Sequence, residues 1–384
     1  EEKALEKIRK KLTKEDIKAI KKQNKQLKKF QDEQEGVSLD VLPKVTLADV
    51  SVGARDLPLV RDKVGDTEIF YHESFTNDIV YIDISFDLPY LKQTELSAAS
   101  FITNILPHMG CGGRDYAANL EYIQQYTGGV DALLSQNRNV KGKFKPSISL
   151  WGKALGSNVD KLAKILVDMT TSADFTDQSR IKELLLQHYI GLEQSLTSSA
   201  MQYASNLAAS KTSQSAHVAN YWFGLEYFWF VKSLLDTEND FSQLKEYILG
   251  NAKPQLIITC DHKNYVKLKK NNFYGLVDIP TQQKTAWRTN YKLKDIPSQG
   301  RIIPASVSFT CQLFDTMHYE DPDAPVLTVA AMLFRNKILH KRIREQGGAY
   351  GCGAVNNLMS GNFYLHTYRD PHIKKSLGAF SEAI

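Results

Sequence analysis

The sequence predicts an α+β protein in which one unit, a mixed or antiparallel sheet packed with helices, is duplicated after a helical hairpin linker. A charged N-terminal segment carries narrow apolar stripes at helical spacing, and alternating strand patterns follow it. A helix that ends at Gly-Gly, then two strands and a helix, occurs at Gly128-Gly129 and again at Gly347-Gly348. The predicted domains are a linker at 1–45, a first domain at 46–290 and the start of a shorter second domain at 291–384.

Composition limits the classes of function. The 384 residues are 42% hydrophobic and 24% charged, as in ordinary globular proteins. No stretch approaches the ~20 apolar residues of a membrane helix, and no apolar leader is visible, so no membrane partner is expected. Most of the net charge of +5 lies in residues 1–36. The folded body therefore lacks the basic face of a nucleic-acid-binding protein.

The four cysteines are widely spaced and form no C-x-x-C pair. This spacing predicts free thiols in a reducing compartment rather than a disulfide scaffold or a zinc cluster. We therefore expect a cytoplasmic protein, or one of an organelle matrix if a transit peptide lies upstream. The cysteines are Cys111, Cys260, Cys311 and Cys352.

Two helices are expected in residues 1–36. The second begins at Thr13, whose hydroxyl lies three residues before Asp16, the spacing of a capping box. The pattern favours a solvated helical hairpin over a coiled coil for a partner, because the heptads are too few. The apolar stripes are Leu5, Ile8 and Leu12 in the first helix and Ile17, Ile20, Leu27 and Phe30 in the second.

The first copy is predicted as an ordered series of strands and helices. Pro107 ends one helix and Gly128-Gly129 ends the next. The expected elements are a strand near 78–86, helices at 94–106 and 116–126, strands near 130–136 and 147–150, helices at 159–169, 178–210 and 217–235, and a buried strand at 255–260.

The second copy is predicted from residue 305 onward. Asp323 and Pro325 are typical of a helix start, and Gly347-Gly348 of its end. The expected elements are a strand at 305–313, that helix, strands near 350–356 and 362–368, and a last helix after Asp370-Pro371.

The two copies differ where a helix meets the next strand. Arg344 and Tyr350 flank Gly347-Gly348, where the first copy has Gln125 and Asp131. A guanidinium and a phenol together suit a substrate carbonyl or its developing oxyanion. The alternative is structural: Arg344 satisfies helix-end carbonyls and Tyr350 fills a strand edge. The local sequence alone favours this alternative, because such caps are common.

Other candidate sites are weaker. His108 and Cys111 suggest metal or thiol chemistry, but a Gly-rich loop is the better interpretation because no further ligand lies at metal spacing. The remaining histidines considered, His188, His217 and His366, are interpreted as core residues. No H-x-x-E-H occurs, so no catalytic residue or metal ligand is assigned within this chain. The aromatic run at 221–230 is interpreted as core more readily than as a wall of a peptide chamber.

Two segments carry a resemblance to a known family. Arg344-Glu345-Gln346-Gly347-Gly348-Ala349-Tyr350-Gly351 and Tyr368-Arg369-Asp370-Pro371 resemble the C-terminal half of pitrilysin/insulinase-type zinc metallopeptidases, in the presequence protease and falcilysin branch. The segment Tyr126-Thr127-Gly128-Gly129, the long helix and the N-terminal hairpin are similar to that branch too.

The resemblance implies two halves that close around unstructured peptides, each built of two related α+β domains. Zinc and its H-x-x-E-H motif are then expected in an N-terminal half, which would be this chain's partner, with no zinc bound here. Arg344 and Tyr350 match the residues that grip substrate in the C-terminal half. The isolated chain is expected to be inactive. The alternative is a non-catalytic scaffold of the same fold, which has no need of both residues.

Overall fold

A computed structural model describes residue 6 and residues 9–35, 42–53, 57–139, 143–237, 240–250, 253–280, 285–288, 291–293, 295 and 297–384. The chain divides into two compact units, residues 1–57 and 58–384. Each is described by itself below.

The first unit contains helix α1, Lys14–Glu35. Its predicted start is confirmed, because the Thr13 amide donates to Asp16 Oδ2 at 2.8 Å and the Asp16 amide donates to Thr13 Oγ1 at 3.1 Å. The apolar stripe of α1 is exposed, with Phe30 at 57%. Leu5 and Ile8, on which the other predicted helix of the hairpin depends, lie outside the described residues.

The second unit opens with a six-stranded mixed sheet in the order β1-β2-β6-β3-β5-β4. All neighbours are antiparallel except β2 and β6, which are parallel. The central strand β3 alternates as predicted, and its inward side chains Val80, Ile82, Ile84 and Phe86 are fully buried. The strands are β1 Val60–Val64, β2 Thr67–Glu73, β3 Ile79–Asp87, β4 Val130–Arg138, β5 Phe144–Leu155 and β6 Gln255–Cys260.

Strands β1 and β2 were missed by the sequence analysis. They form a hairpin closed by Gly65 and Asp66, with Val64 paired to Thr67 and Gly65 at φ +57°. The alternation from Thr67 to Tyr71 and the Gly-Asp turn are the signals that could have found them.

Nine helices accompany this sheet in the described part of 58–280. They are α2 Gln93–Ile105, α3 Tyr116–Tyr126, α4 Val159–Ser172, α5 Gln178–Ser198, α6 Ala200–Ala209, α7 Gln214–Phe223, α8 Leu225–Leu234, α9 Ser242–Leu249 and α10 His262–Lys270.

Two predicted long helices are each broken in the structure. The helix expected at 178–210 is interrupted at Ser199, whose φ of −106° and ψ of +17° are not helical. The helix expected at 217–235 is interrupted at Gly224, where the backbone is extended. A Cβ at Gly224 would lie 2.1 Å from Asn220 Oδ1, so only glycine permits this close turn. Apolar residues recur at helical spacing on both sides of each break, so the sequence pattern predicted one continuous helix in each case.

The second copy forms a separate three-stranded antiparallel sheet in the order β7-β9-β8. Helix α11 continues into a π-helical segment, Phe334–Glu345, before the Gly-Gly turn. The elements are β7 Ser308–Asp315, α11 Ala324–Leu333, β8 Gly351–Asn357, β9 Asn362–Asp370 and α12 Ile373–Ala383.

The two sheets share one connectivity, which confirms the predicted duplication. In the first copy β3, β4 and β5 follow in sequence and β5 lies between the other two. In the second copy β7, β8 and β9 follow in sequence and β9 lies between. Each copy has its own hydrophobic cluster, and helix α6 packs against β7 and β9.

Candidate functional site

The turn at Gly347-Gly348 satisfies the helix end with backbone groups. The Gly348 amide donates to the Arg344 carbonyl at 3.0 Å and the Ala349 amide to the Ile343 carbonyl at 3.1 Å. Gly348 adopts φ +78°, and a Cβ at Gly347 would lie 2.4 Å from the Ile343 carbonyl oxygen. These two glycines therefore terminate the helix in the way that glycine usually does. The side chain of Arg344 is not needed as a cap for those two carbonyls.

Arg344 lies on the last helical turn with its side chain exposed. Its Nη1 donates to His340 Nε2 at 3.2 Å, and His340 Nδ1 lies 3.2 Å from Glu345 Oε1. An Nδ1–H bond to the carboxylate leaves Nε2 as the acceptor that Arg344 requires. This arrangement orients the guanidinium while leaving its other donors available.

Tyr350 lies directly before β8 and is 70% exposed. Its amide donates to the Arg369 carbonyl at 3.2 Å, which fixes the backbone to β9. Its ring meets that of Tyr368 edge-on, with the centroids 6.0 Å apart. The phenol therefore stands at the surface on a rigid strand, rather than filling a core.

The first copy has a shorter junction at this place. Helix α3 ends at Tyr126 and β4 starts at Val130, whereas the second-copy helix ends at Glu345 and β8 starts at Gly351. Val130 is the first paired residue of β4, opposite Gly152, and Gly351 is the first paired residue of β8, opposite Tyr368. Gly129 and Tyr350 each come directly before that first pair, so Gly129 is the strand counterpart of Tyr350. The assignment of Asp131 as that counterpart was wrong, since the second turn is two residues longer. Gln125 keeps its place as the penultimate helical residue.

The loop that contains His108 and Cys111 is held by an ion pair. Arg114 Nη2 donates to Asp168 Oδ2 at 2.7 Å, and Arg114 Nε donates to Asn119 Oδ1 at 3.1 Å. The Cys111 thiol donates to the same Asn119 oxygen at 3.3 Å. Burial raises the pKa of Cys111 to about 11. A buried thiol that stays protonated is a poor nucleophile, and the hydrogen bonds and ion pair of this loop are those of a structural element.

The remaining thiols behave in the same way. Burial raises the pKa of Cys260 and Cys311 to about 12 and that of Cys352 to about 11. All four cysteines are free. Across the described ranges, no three His, Cys, Asp or Glu side chains group closely enough to hold a metal ion. The donor set therefore does not fit zinc, and no step is assigned to a metal here.

The aromatic run contributes mainly to the first core, as the sequence favoured. Trp222 is fully buried and Tyr227 is 3% exposed. The Tyr227 hydroxyl lies 2.8 Å from His188 Nε2. Burial lowers the pKa of His188, so the neutral form is the one that packs here.

The fold consists of duplicated α+β units with a shared strand connectivity. Solved structures share the fold. A conserved protein from Enterococcus faecalis V583 superposes with a TM-score of 0.64 at 11% identity, covering 85% of this chain and 79% of that one. A chain described as a peptidase M16 inactive domain from Pseudomonas fluorescens gives 0.59 at 12% identity, with the same coverages of 85% and 79%.

The chain belongs to the family described as peptidase M16 subfamily C associated, which matches residues 1–234, and a PreP C-terminal domain matches residues 300–384. It is 26% identical to the mitochondrial presequence protease of Aspergillus fumigatus, over 96% of this chain and 36% of that protein. The corresponding protein of Kluyveromyces lactis is also 26% identical, over 99% and 40%. The chain thus spans well under half the length of these relatives. No helix in the described ranges is long and apolar enough to cross a membrane.

Proposed function

We propose that this chain is the substrate-holding C-terminal half of a zinc-dependent oligopeptidase that degrades unstructured peptides in a closed chamber. Its partner is then an N-terminal half of the same polypeptide, which holds the zinc and hydrolyses the bond. The isolated chain is inactive. Membership of the peptidase-associated family and the match to a PreP C-terminal domain support this proposal.

The observation that carries the proposal is the exposure of Arg344 and Tyr350 on the two sides of one rigid turn. The backbone caps the helix end, and Tyr350 is 70% exposed, which supports a role for both side chains in contacting a peptide. Guanidinium and phenol donors both suit a peptide carbonyl as negative charge develops on its oxygen.

A non-catalytic scaffold is the second candidate. It is favoured by the likeness in fold to a structure described as an inactive domain. A scaffold makes no use of an exposed guanidinium and an exposed phenol that flank one turn, and loss of these groups would leave its assembly unchanged.

Substitution of the two residues in the full-length protein tests the proposal. Tyr350→Phe removes one hydroxyl and should lower kcat on an unstructured peptide by ~10²–10³. Arg344→Lys keeps the charge but loses the planar fork, and should also impair turnover. Neither should change the zinc content, because the ligands lie in the other half.

The first copy supplies two control positions: Gln125 is the counterpart of Arg344, and Asp131 lies two residues beyond Gly129, the counterpart of Tyr350. Gln125 and Asp131 are both exposed beside the corresponding turn. Gln125→Ala and Asp131→Ala should leave kcat within about twofold, since surface changes away from a site are usually neutral. Normal turnover by Tyr350→Phe at saturating peptide would show that the residue is only a strand edge. Melting temperature serves as the folding control.

The domain limits and the compartment are parts of the same proposal. Two sheets and two hydrophobic clusters support two domains, proposed at 46–290 and from 291 onward, with Tyr291 itself packed in the first cluster. The mitochondrial names of the relatives favour an organelle matrix over the cytoplasm. Fractionation of cells that express the full-length protein distinguishes these two locations.

A further inference from the structure

Strand β9 contains a bulge directly beside the Arg344–Tyr350 turn. Ser308 pairs with Asp370 and Thr310 pairs with Thr367, so Tyr368 and Arg369 together oppose the single residue Phe309. Arg369 adopts φ +50°, a conformation that residues other than glycine rarely adopt. Bulges bend a strand and redirect its side chains, and they are frequent next to active sites.

The bulge assembles an aromatic cluster of three rings, Phe309, Tyr368 and Tyr350. The ring of Tyr368 meets that of Phe309 edge-on at 5.2 Å between centroids and that of Tyr350 edge-on at 6.0 Å. The guanidinium carbon of Arg369 lies 5.6 Å from the Tyr368 ring centroid, within range of a cation–π contact. Tyr368 is therefore held from three sides.

The neighbouring backbone leaves the cluster open on one side. Gly351 is paired directly with Tyr368, and a Cβ at Gly351 would make only ordinary contact, at 3.7 Å, with Tyr368 Cβ. A side chain would thus fit at position 351 without strain, yet glycine places none there. Along β9, Phe363 and Leu365 are buried in the second core, whereas Tyr368 is only half-buried. Gly351 and the rings of Phe309 and Tyr368 together form an apolar surface that is continuous with Tyr350.

We propose that Phe309, Tyr368 and Gly351 form a subsite for an aromatic or large aliphatic side chain of the bound peptide, next to the carbonyl that Arg344 and Tyr350 hold. Edge-on rings offer a further ring the offset or perpendicular contacts that aromatic groups prefer. Tyr368 is a specificity-determining residue in this arrangement, and Arg369 positions it. The proposal rests on the proposed function, because it places the peptide at Tyr350.

The kinetic test uses the full-length protein and a set of unstructured peptides in which one Phe is moved position by position through an alanine background. The wild type should prefer Phe at one position near the cleaved bond by ~10-fold in kcat/KM, the scale of apolar pockets. Tyr368→Ala should reduce that preference to within about twofold. Gly351→Val should do the same by filling the subsite. Both variants should lose more of kcat/KM on the peptide that has Phe at that position than on the peptide that has Ala there.

Tyr364→Ala is the matched control, because this half-buried tyrosine lies four residues earlier on the same strand. It should retain the preference for Phe. If Tyr368→Ala and Gly351→Val slow the Phe and Ala peptides equally, the cluster only supports the turn and the subsite is wrong. A wild type with no preference at any position also overturns it.

A binding measurement on the present chain separates this inference from the proposed function. N-acetyl-phenylalanine amide should show saturation-transfer NMR signals on its ring protons, and these should be lost in Gly351→Val and kept in Tyr364→Ala. N-acetyl-alanine amide should show none. Ring binding in a full-length protein that cleaves no peptide would refute the peptidase proposal and keep the apolar subsite. Peptide cleavage without ring binding would refute the apolar subsite and keep the peptidase proposal.

Discussion

The two copies share a strand order but differ in how their first helix is covered. Helix α2 packs against α7, α8 and α9, and nine of its residues are buried, Phe101 completely. Helix α11 is at least as apolar, but its buried residues are only Ala324 and Ala331. Its exposed side chains are Val326, Val329, Met332 and Leu333, at 64%, 57%, 60% and 54%.

The difference shows that burial is a property of the neighbours and not of the helix sequence. An apolar stripe is stabilising only where other elements remove it from water. In the first copy the aromatic helices α7 and α8 provide that cover. In the described part of the second copy, strand β8 packs against α11 and covers a smaller share of it. We therefore expect stability to be concentrated in the first copy.

Core truncation should give the largest contrast between the copies. Phe101 packs at 5.3 Å between ring centroids from Phe241. Phe101→Ala should lower the free energy of unfolding by ~3–5 kcal/mol, because it leaves a cavity. Met332→Ala on α11 should change it by less than ~0.5 kcal/mol. Urea denaturation followed by circular dichroism measures both, and similar costs would contradict the contrast.

The loop that precedes α3 in the first copy is held by an ion pair, which predicts the next effect. The first copy fixes its glycine loop with Arg114 and Asp168, whose side chains are 17% and 12% exposed. Asp168→Asn leaves a desolvated guanidinium without a counter-charge and should cost about 3 kcal/mol.

Asp87→Asn is the control for that change, because its pair with Lys145 is 43% and 48% exposed. It should cost less than ~1 kcal/mol. Equal effects in thermal unfolding would show that the loop is not held by charge.

The junction between β9 and α12 should show a smaller effect. Asp370 is 1% exposed and accepts hydrogen bonds from the His372 amide at 2.8 Å and from Ser376 Oγ. Asp370→Asn should cost ~1–3 kcal/mol, since an amide replaces one of the two acceptor oxygens. Asp160→Asn, on the more exposed side of α4, should be silent. If proteolysis near residue 370 is unchanged by Asp370→Asn, these bonds do not hold the second copy together.

The smallest effect concerns pH and the first copy alone. Burial lowers the pKa of His188 from 6.5, so the unfolded chain binds its proton at higher pH than the folded chain does. The stabilisation by neutral His188 is complete above about pH 6.5 and is lost as the pH falls through the folded value. His188→Gln should therefore flatten the fall in melting temperature between pH 7 and 5. The exposed His262→Gln should leave that slope unchanged, and a steeper slope in His188→Gln would reverse the assigned sign.

Several local features could be predicted because they depend on short-range chemistry. The capping box at Thr13 follows from adjacent side chains and is present as expected. Helix α3 and strand β6 have the predicted bounds, since Gly128 and the apolar run of β6 are strong local signals. The breaks at Ser199 and Gly224 were not predictable from periodicity, because apolar residues recur at helical spacing on both sides of each break.

The sequence by itself predicted the fold class and the duplication, and its resemblance to a known family indicated Arg344 and Tyr350 as candidate site residues. Each depends on residue types and on their order along the chain. Only the tertiary structure decided that Gly129 corresponds to Tyr350, that Phe309 and Tyr368 lie beside Tyr350, and that α11 remains exposed while α2 is buried. These facts depend on strand register and on which elements become neighbours. Register and packing are set by contacts between residues far apart in sequence, which local patterns do not encode.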